Sequence, residues 1–238
     1  MKNPANMIGG FGKFCLMYSF FLVANIFVVQ NLRADPKSVS GYAISVFATA
    51  PSNFTGPDSI TSAHGNIFVS YTNGAAKDGS SGSSVIVQYD TKGTVLHTYT
   101  VAGRNDGLKY NPYDKMLWAL RNEDGNPQLT LINPETGASQ DLTYAVNPPA
   151  HGGGYDDVAF LNGKVYLSAS NPTVDAKGQN NFPSIVSATI VGSKVQVAPV
   201  LLDNAVLTNI TTGSKTTSLQ SDPDSLKIGP DHALFLTS

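Results

Sequence analysis

The 238-residue sequence predicts an all-β fold assembled from repeated four-stranded units, and three observations carry that prediction. Gly 22 and Pro 14, with only 13% charged residues, favour many turns between short strands over long, salt-laced helices. Beyond Asp35, apolar and polar residues alternate in short runs bounded by Gly, Pro, Asn and Asp, the period of a half-buried strand, and helical periodicity is absent. One order of Asp, strand, turn and strand then recurs four times. A unit that cannot bury its own faces must stack on copies of itself.

The chain opens differently. Lys2 and Lys13 precede an uncharged run from Phe14 to Val29, followed by a polar stretch with the small residue Ala34. A basic start, a short apolar core and a small residue predict a hydrophobic helix that serves as an export signal, although Leu32 departs from the small residue usual two places earlier. The run is shorter than the roughly 20 apolar residues of a spanning helix, so residues 1–34 are read as a signal peptide or, if uncleaved, a membrane anchor. The predicted location is exported, periplasmic or extracellular, and the membrane enters only through this segment. Cys15 is the single cysteine, which excludes an internal disulfide framework, a Cys-based zinc site and a CxxC redox pair.

Residues 35–238 form the predicted β domain. Ala43 to Ala48 reads as an outer strand ahead of the first unit. The four units then begin at Asp58-Ser59-Ile60-Thr61, Asp106-Gly107-Leu108-Lys109, Asp157-Val158-Ala159-Phe160 and Asp224-Ser225-Leu226-Lys227, each followed by a turn and a second strand. The turns Ala63-His64-Gly65-Asn66, Asn111 to Lys115, Leu161 to Lys164 and Gly229 to His232 carry residues that preset φ or bond the local backbone. In the first three units a second hairpin follows, turning at Asp90 to Gly93, Asn133 to Gly137 and Val191 to Lys194.

The leading Asp residues are 48, 51 and 67 positions apart, the last interval lengthened by a polar insertion from Asp203 to Ser221 that reads as a surface loop. Four antiparallel strands at such a period are what radial packing of blades produces. The prediction is a partial β-propeller of about three four-stranded blades plus the start of a fourth, preceded by the short N-terminal hydrophobic helix. Open blade flanks predict either a truncated chain or one that assembles with a partner and oligomerises in isolation.

Pro57-Asp58-Ser59-Ile60-Thr61 with Gly65 to Val69, and Pro223-Asp224-Ser225-Leu226 with Leu234 to Leu236, resemble the NHL repeat and the blade motif of gluconolactonase/regucalcin-like propellers. In the latter the Asp of a Pro-Asp-Gly turn is a metal ligand, so the resemblance implies that role for Asp58 and Asp224. Ser59 and Ser225 stand where that motif has Gly, and no counterpart of the family's ligating Glu is found on the first strand.

Asp58, Asp106, Asp157 and Asp224 each stand just before an innermost strand, so the four carboxylates are expected at one end of the ring, facing the central channel. Converging oxygens there suit Ca²⁺ or another divalent cation. The alternative is that each Asp accepts backbone N–H bonds and fixes the turn into its strand. His151, in a Gly-rich loop entering the third blade, is the candidate general base, expected on the same face. Asn73, Asn122 and Asn171 occupy equivalent places after the second strand, as turn formers or as polar ligands at the mouth. Tyr71, Trp118, Tyr166 and Phe235 recur on the second strand as core between blades.

A formal charge of -2 leaves no basic field for nucleic acid. Two functions follow. The first is an exported binding or interaction module, with a protein or small-molecule ligand at the channel mouth and no visible catalytic machinery. The second is a metal-dependent lactonase, in which the Asp column holds the cation.

Overall fold

A computed structural model describes residues 37–51, 53–218 and 220–238; the predicted N-terminal helix and Cys15 lie outside them. The described residues form an all-β, partial β-propeller of three four-stranded blades and the first hairpin of a fourth. All of the described strands fall in a unit that runs Val46–Ser238.

The first blade is β1 (Pro57–Ala63), β2 (Asn66–Tyr71), β3 (Ser83–Tyr89) and β4 (Val95–Ala102), paired antiparallel in chain order. The second is β5 (Asn105–Asn111), β6 (Met116–Arg121), β7 (Gln128–Ile132) and β8 (Ser139–Tyr144). The third is β9 (Gly154–Leu161), β10 (Lys164–Ser170), β11 (Ile185–Val191) and β12 (Lys194–Leu201). The hairpin of the fourth is β15 (Leu226–Ile228) with β16 (Leu234–Leu236). The innermost strands β1, β5, β9 and β15 pack side by side in that order.

The turns do what their residues allow. His64, Asn162 and His232 take positive φ at the inner hairpins, and Asp90 and Asn133 accept backbone N–H bonds that close two of the outer ones. Blades stack through apolar flanks. Phe68, Ile86 and Tyr99 of the first blade meet Leu108, Leu117 and Ile132 of the second, while Trp118, Leu120 and Leu129 meet Val158, Leu167 and Val186 of the third. Burying such side chains stabilises by about 1.5–3 kcal/mol each, the main force holding one blade to the next.

Three features differ from the sequence reading. Blades two and three are not separate sheets: the outer strands β8 and β12 pair in parallel at Thr143 with Lys194 and Tyr144 with Val195, giving one eight-stranded sheet. Their edges approach closely enough for the Ala145 N–H to donate to the Val195 carbonyl at 2.8 Å. Residues 43–50 form no strand; Ala48 and Ala50, with Phe54, instead pack on Tyr71, Val85, Val87 and Tyr89. The insertion between Asp203 and Ser221 contains a short hairpin, β13 (Val206–Thr208) with β14 (Lys215–Thr217), whose residues are exposed.

Candidate functional site

The site is built by the register of the innermost strands. Ile60 pairs with Val69, Leu108 with Ala119, Val158 with Leu167 and Leu226 with Leu236, so these four aliphatic residues occupy one position in the repeat. Two residues earlier stand Asp58, Asp106, Asp156 and Asp224. The Asp column of the fold therefore contains Asp156, not Asp157, in the third blade. Successive side chains of a strand point in opposite directions, so Asp156 and Asp157 have different immediate partners although both line the same cavity.

All four column residues line one cavity of about 290 Å³, joined by Asp157 and by Glu123, which follows the end of β6. The expected convergence at one end of the innermost strands is what the structure shows for Asp58, Asp106, Asp157 and Asp224. Two cations lie among them. The Arg104 Nε donates to Asp106 Oδ1 at 2.5 Å, and its Nη2 stands 3.5 Å from Asp58 Oδ2. Lys109 Nζ donates to both oxygens of Asp157, at 2.9 and 2.8 Å.

Asp157 is a fastener between blades. Besides Lys109, its Oδ1 accepts from the Val158 N–H at 2.7 Å and its Oδ2 from the Leu226 N–H on the next innermost strand at 2.9 Å. Those bonds fill the carboxylate, so Asp157 does not fit a metal ligand. Ser59 sits at the same step of the first blade, and its hydroxyl donates to the Asp106 carbonyl of the second. At the corresponding Gly107 a Cβ would collide with the Asp156 carbonyl oxygen, so only glycine lets β5 and β9 approach.

The remaining carboxylates are electrically crowded. Burial, with Glu123 adding to it, pushes the Asp106 carboxyl up to about 6 against the pull of Arg104. Its Oδ2 is buried with no hydrogen-bond partner among the described residues. Burial also raises Asp58, with Arg104 opposing. Asp156 is held well above the carboxylate range by burial and by the hydrogen bond it makes, as the protonated acid, with Asp224. Glu123 Oε1 is paired with Lys77 Nζ at 2.9 Å. Among the described residues no three His, Cys, Asp or Glu are drawn together as a preformed metal centre. Carboxylates are present in number, but they are spread around the cavity and shared with Arg104, Lys77 and a proton.

His151 is elsewhere. It is buried, its Nε2 lies 2.8 Å from the Gly154 carbonyl oxygen, and its ring meets Tyr155 edge-on at 5.3 Å. It lines a separate apolar cavity of about 210 Å³ with Val146, Pro149 and Phe182, and burial lowers its pKa. The structure does not bring it to the carboxylates. Asn73, Asn122 and Asn171 all adopt positive φ, at 50°, 63° and 48°, and act at turns. Asn73 Oδ1 accepts the Thr55 N–H, and Asn122 Oδ1 accepts the Arg104 N–H.

A larger cavity, of about 660 Å³, lies around Trp118 and Tyr166, and two of its polar groups are already engaged. Trp118 Nε1 donates to Asp114 Oδ2 at 2.8 Å, and the Ser187 hydroxyl donates to the Ala198 carbonyl. Sequence reading missed Asp156, Glu123, Arg104 and Lys109 as members of the acidic site. The two-residue offset from Asp to the buried aliphatic residue would have found Asp156. Of the other three, Lys109 lies on β5, Arg104 just before it and Glu123 just after β6, positions whose charges carry no mark in the repeat.

No family model matches the chain, and no curated protein does. Among solved structures, the computationally designed Ika4 protein is similar at 11% sequence identity and a TM-score of 0.41, over 82% of this chain and 98% of that one.

Proposed function

We propose that the chain is an exported binding module whose propeller mouth takes a positively charged group. The supporting observation is the Asp106 Oδ2, buried without a partner in a cavity that it shares with Glu123, Asp156 and Asp224. An unpaired carboxylate oxygen in that setting costs free energy that an entering cation recovers. Arg104 and Lys109 already illustrate the chemistry, each satisfying a neighbouring carboxylate with N–H donors.

Titration calorimetry tests this with two kinds of probe, an alkylammonium ion and the divalent cations Ca²⁺, Mn²⁺ and Zn²⁺. Binding is expected with uptake favoured as pH rises, because the entering charge displaces the proton between Asp156 and Asp224, and it weakens in Asp106→Asn and Asp224→Asn. Heats from the ammonium alone identify an organic cation as the ligand, and heats from a divalent ion alone identify a metal. Absence of binding by every probe at millimolar concentration removes the proposal.

A metal-dependent lactonase is the second reading, favoured by one observation: Asp106, pushed up to about 6, can gain or lose a proton near neutrality beside the cavity. It requires lactone hydrolysis that depends on added divalent ion, with a pH profile that Asp106→Asn abolishes. Lack of turnover on aliphatic lactones in the presence of each ion excludes it.

A further inference from the structure

The apolar cavity of about 210 Å³ beside His151 has no part in the acidic mouth, with which it shares no lining residue. It lies at the junction of the second and third blades, since Tyr155 and Val186 line it and belong to the buried cluster that joins them. Pro149, Pro183 and Pro199 contribute stiff walls, and Phe182 and Val197 add apolar surface. Among the described residues no charged side chain lines it.

Two polar groups belong to this lining. A carbonyl oxygen can only accept, so the His151 Nε2, 2.8 Å from that of Gly154, carries the ring proton and leaves the lone pair on Nδ1. Burial lowers the His151 pKa and so favours this neutral ring. Neither Nδ1 nor the Tyr155 hydroxyl has a hydrogen-bond partner among the described residues, and neither is sealed away from solvent. Both rings are held in place. The His151 carbonyl accepts the Thr173 N–H at 2.7 Å, and a Cβ at Gly153 would strike the Ser170 carbonyl oxygen, so this loop sits tight against the third blade. Tyr155 stacks on Tyr144 at 4.4 Å and meets the His151 ring edge-on.

We propose that this cavity binds a small neutral aromatic alcohol of the phenol class, its ring against the prolines, Phe182 and Val197 and its hydroxyl shared between His151 Nδ1 and Tyr155. The hydroxyl donates to the Nδ1 lone pair and accepts from the Tyr155 O–H, so one ligand group satisfies both. Size agrees, because an apolar cavity of about 150 Å³ in another protein takes up benzene, and the extra room here admits the hydroxyl. A charged ligand would lose its hydration with no counter-charge to meet it. A ring without a hydroxyl would displace water from both polar groups and leave them unpaired. Walls fixed before binding lose little freedom on binding.

Calorimetric titration of the full chain with phenol and with benzene tests this. Phenol is expected to bind at one site with Kd below about 1 mM, at least about tenfold tighter than benzene. Tyr155→Phe should weaken phenol about tenfold and leave benzene unchanged, a split that a merely loosened fold would not produce. Ala198→Phe brings a large side chain into the cavity from an exposed position on β12, so circular dichroism should show the variant folded and calorimetry should show phenol binding lost. The ¹⁵N resonance of His151 Nδ1 should move upfield with phenol and stay in place with benzene. No saturation by phenol at about 10 mM, equal affinity for benzene, an unmoved Nδ1 resonance, a Tyr155→Phe variant that binds both probes as the wild type does or weakens both alike, or phenol binding that survives Ala198→Phe overturns the proposal.

Discussion

Lys109, on the innermost strand of the second blade, donates to both carboxylate oxygens of Asp157 in the third and, at 3.0 Å, to the Leu226 carbonyl oxygen in the fourth. One ammonium thereby ties three consecutive innermost strands. Lys109→Met leaves the largely buried Asp157 carboxylate with only its backbone donors, and is expected to cost about 2 kcal/mol. Asp157→Asn should cost about 1 kcal/mol, since an amide oxygen still accepts. Urea unfolding of both single variants and the double variant should give a coupling energy well above experimental error, which additive costs would contradict.

Asp106 gives stability a pH dependence of known sign. Its folded pKa, about 6, lies above the ordinary carboxylate value, so the folded chain binds its proton more tightly than the unfolded chain does. The associated stability is present in full below about pH 4 and is lost as pH rises through about 6, to the extent of about 3 kcal/mol for this group alone. Asp106→Asn keeps an acceptor for Arg104 and removes the titration. The difference in urea midpoint between variant and wild type should therefore grow in favour of the variant from pH 4 to pH 7, and a constant difference would refute the assignment.

Gly107 and Gly163 offer a paired test of close approach against backbone strain. Gly107→Ala drives a methyl group into the Asp156 carbonyl, and should cost about 2 kcal/mol while disturbing the acidic cavity. Gly163 has φ +73° with open space around it, so Gly163→Ala should cost about 1 kcal/mol through backbone strain alone and leave cation binding intact. Thermal melts and calorimetry together separate the two effects.

Trp118 is the only tryptophan of the chain, and it is 2% exposed at the junction of the second and third blades. Its emission should be blue-shifted in the native state and move to the red on unfolding. Asp114→Ala removes the acceptor of a buried indole N–H and is expected to lower stability by about 1–2 kcal/mol. An unchanged midpoint would show that this hydrogen bond contributes nothing.

The repeat itself was legible in the sequence: alternation, turn residues and a recurring Asp determined the strands, their hairpins and the end of the innermost strands on which the carboxylates gather. Composition together with the alternation also pointed to an all-β fold. The choice between Asp156 and Asp157 was decided only by tertiary structure, because two adjacent acids read alike until strand pairing fixes which face each one takes. Arg104, Lys109 and Glu123 entered the site for a related reason. Stacking of the blades brings Lys109 and Glu123 to the cavity and sets Arg104 against Asp106 and Asp58 beside it, where burial and mutual proximity set which carboxylates are paired, protonated or left open.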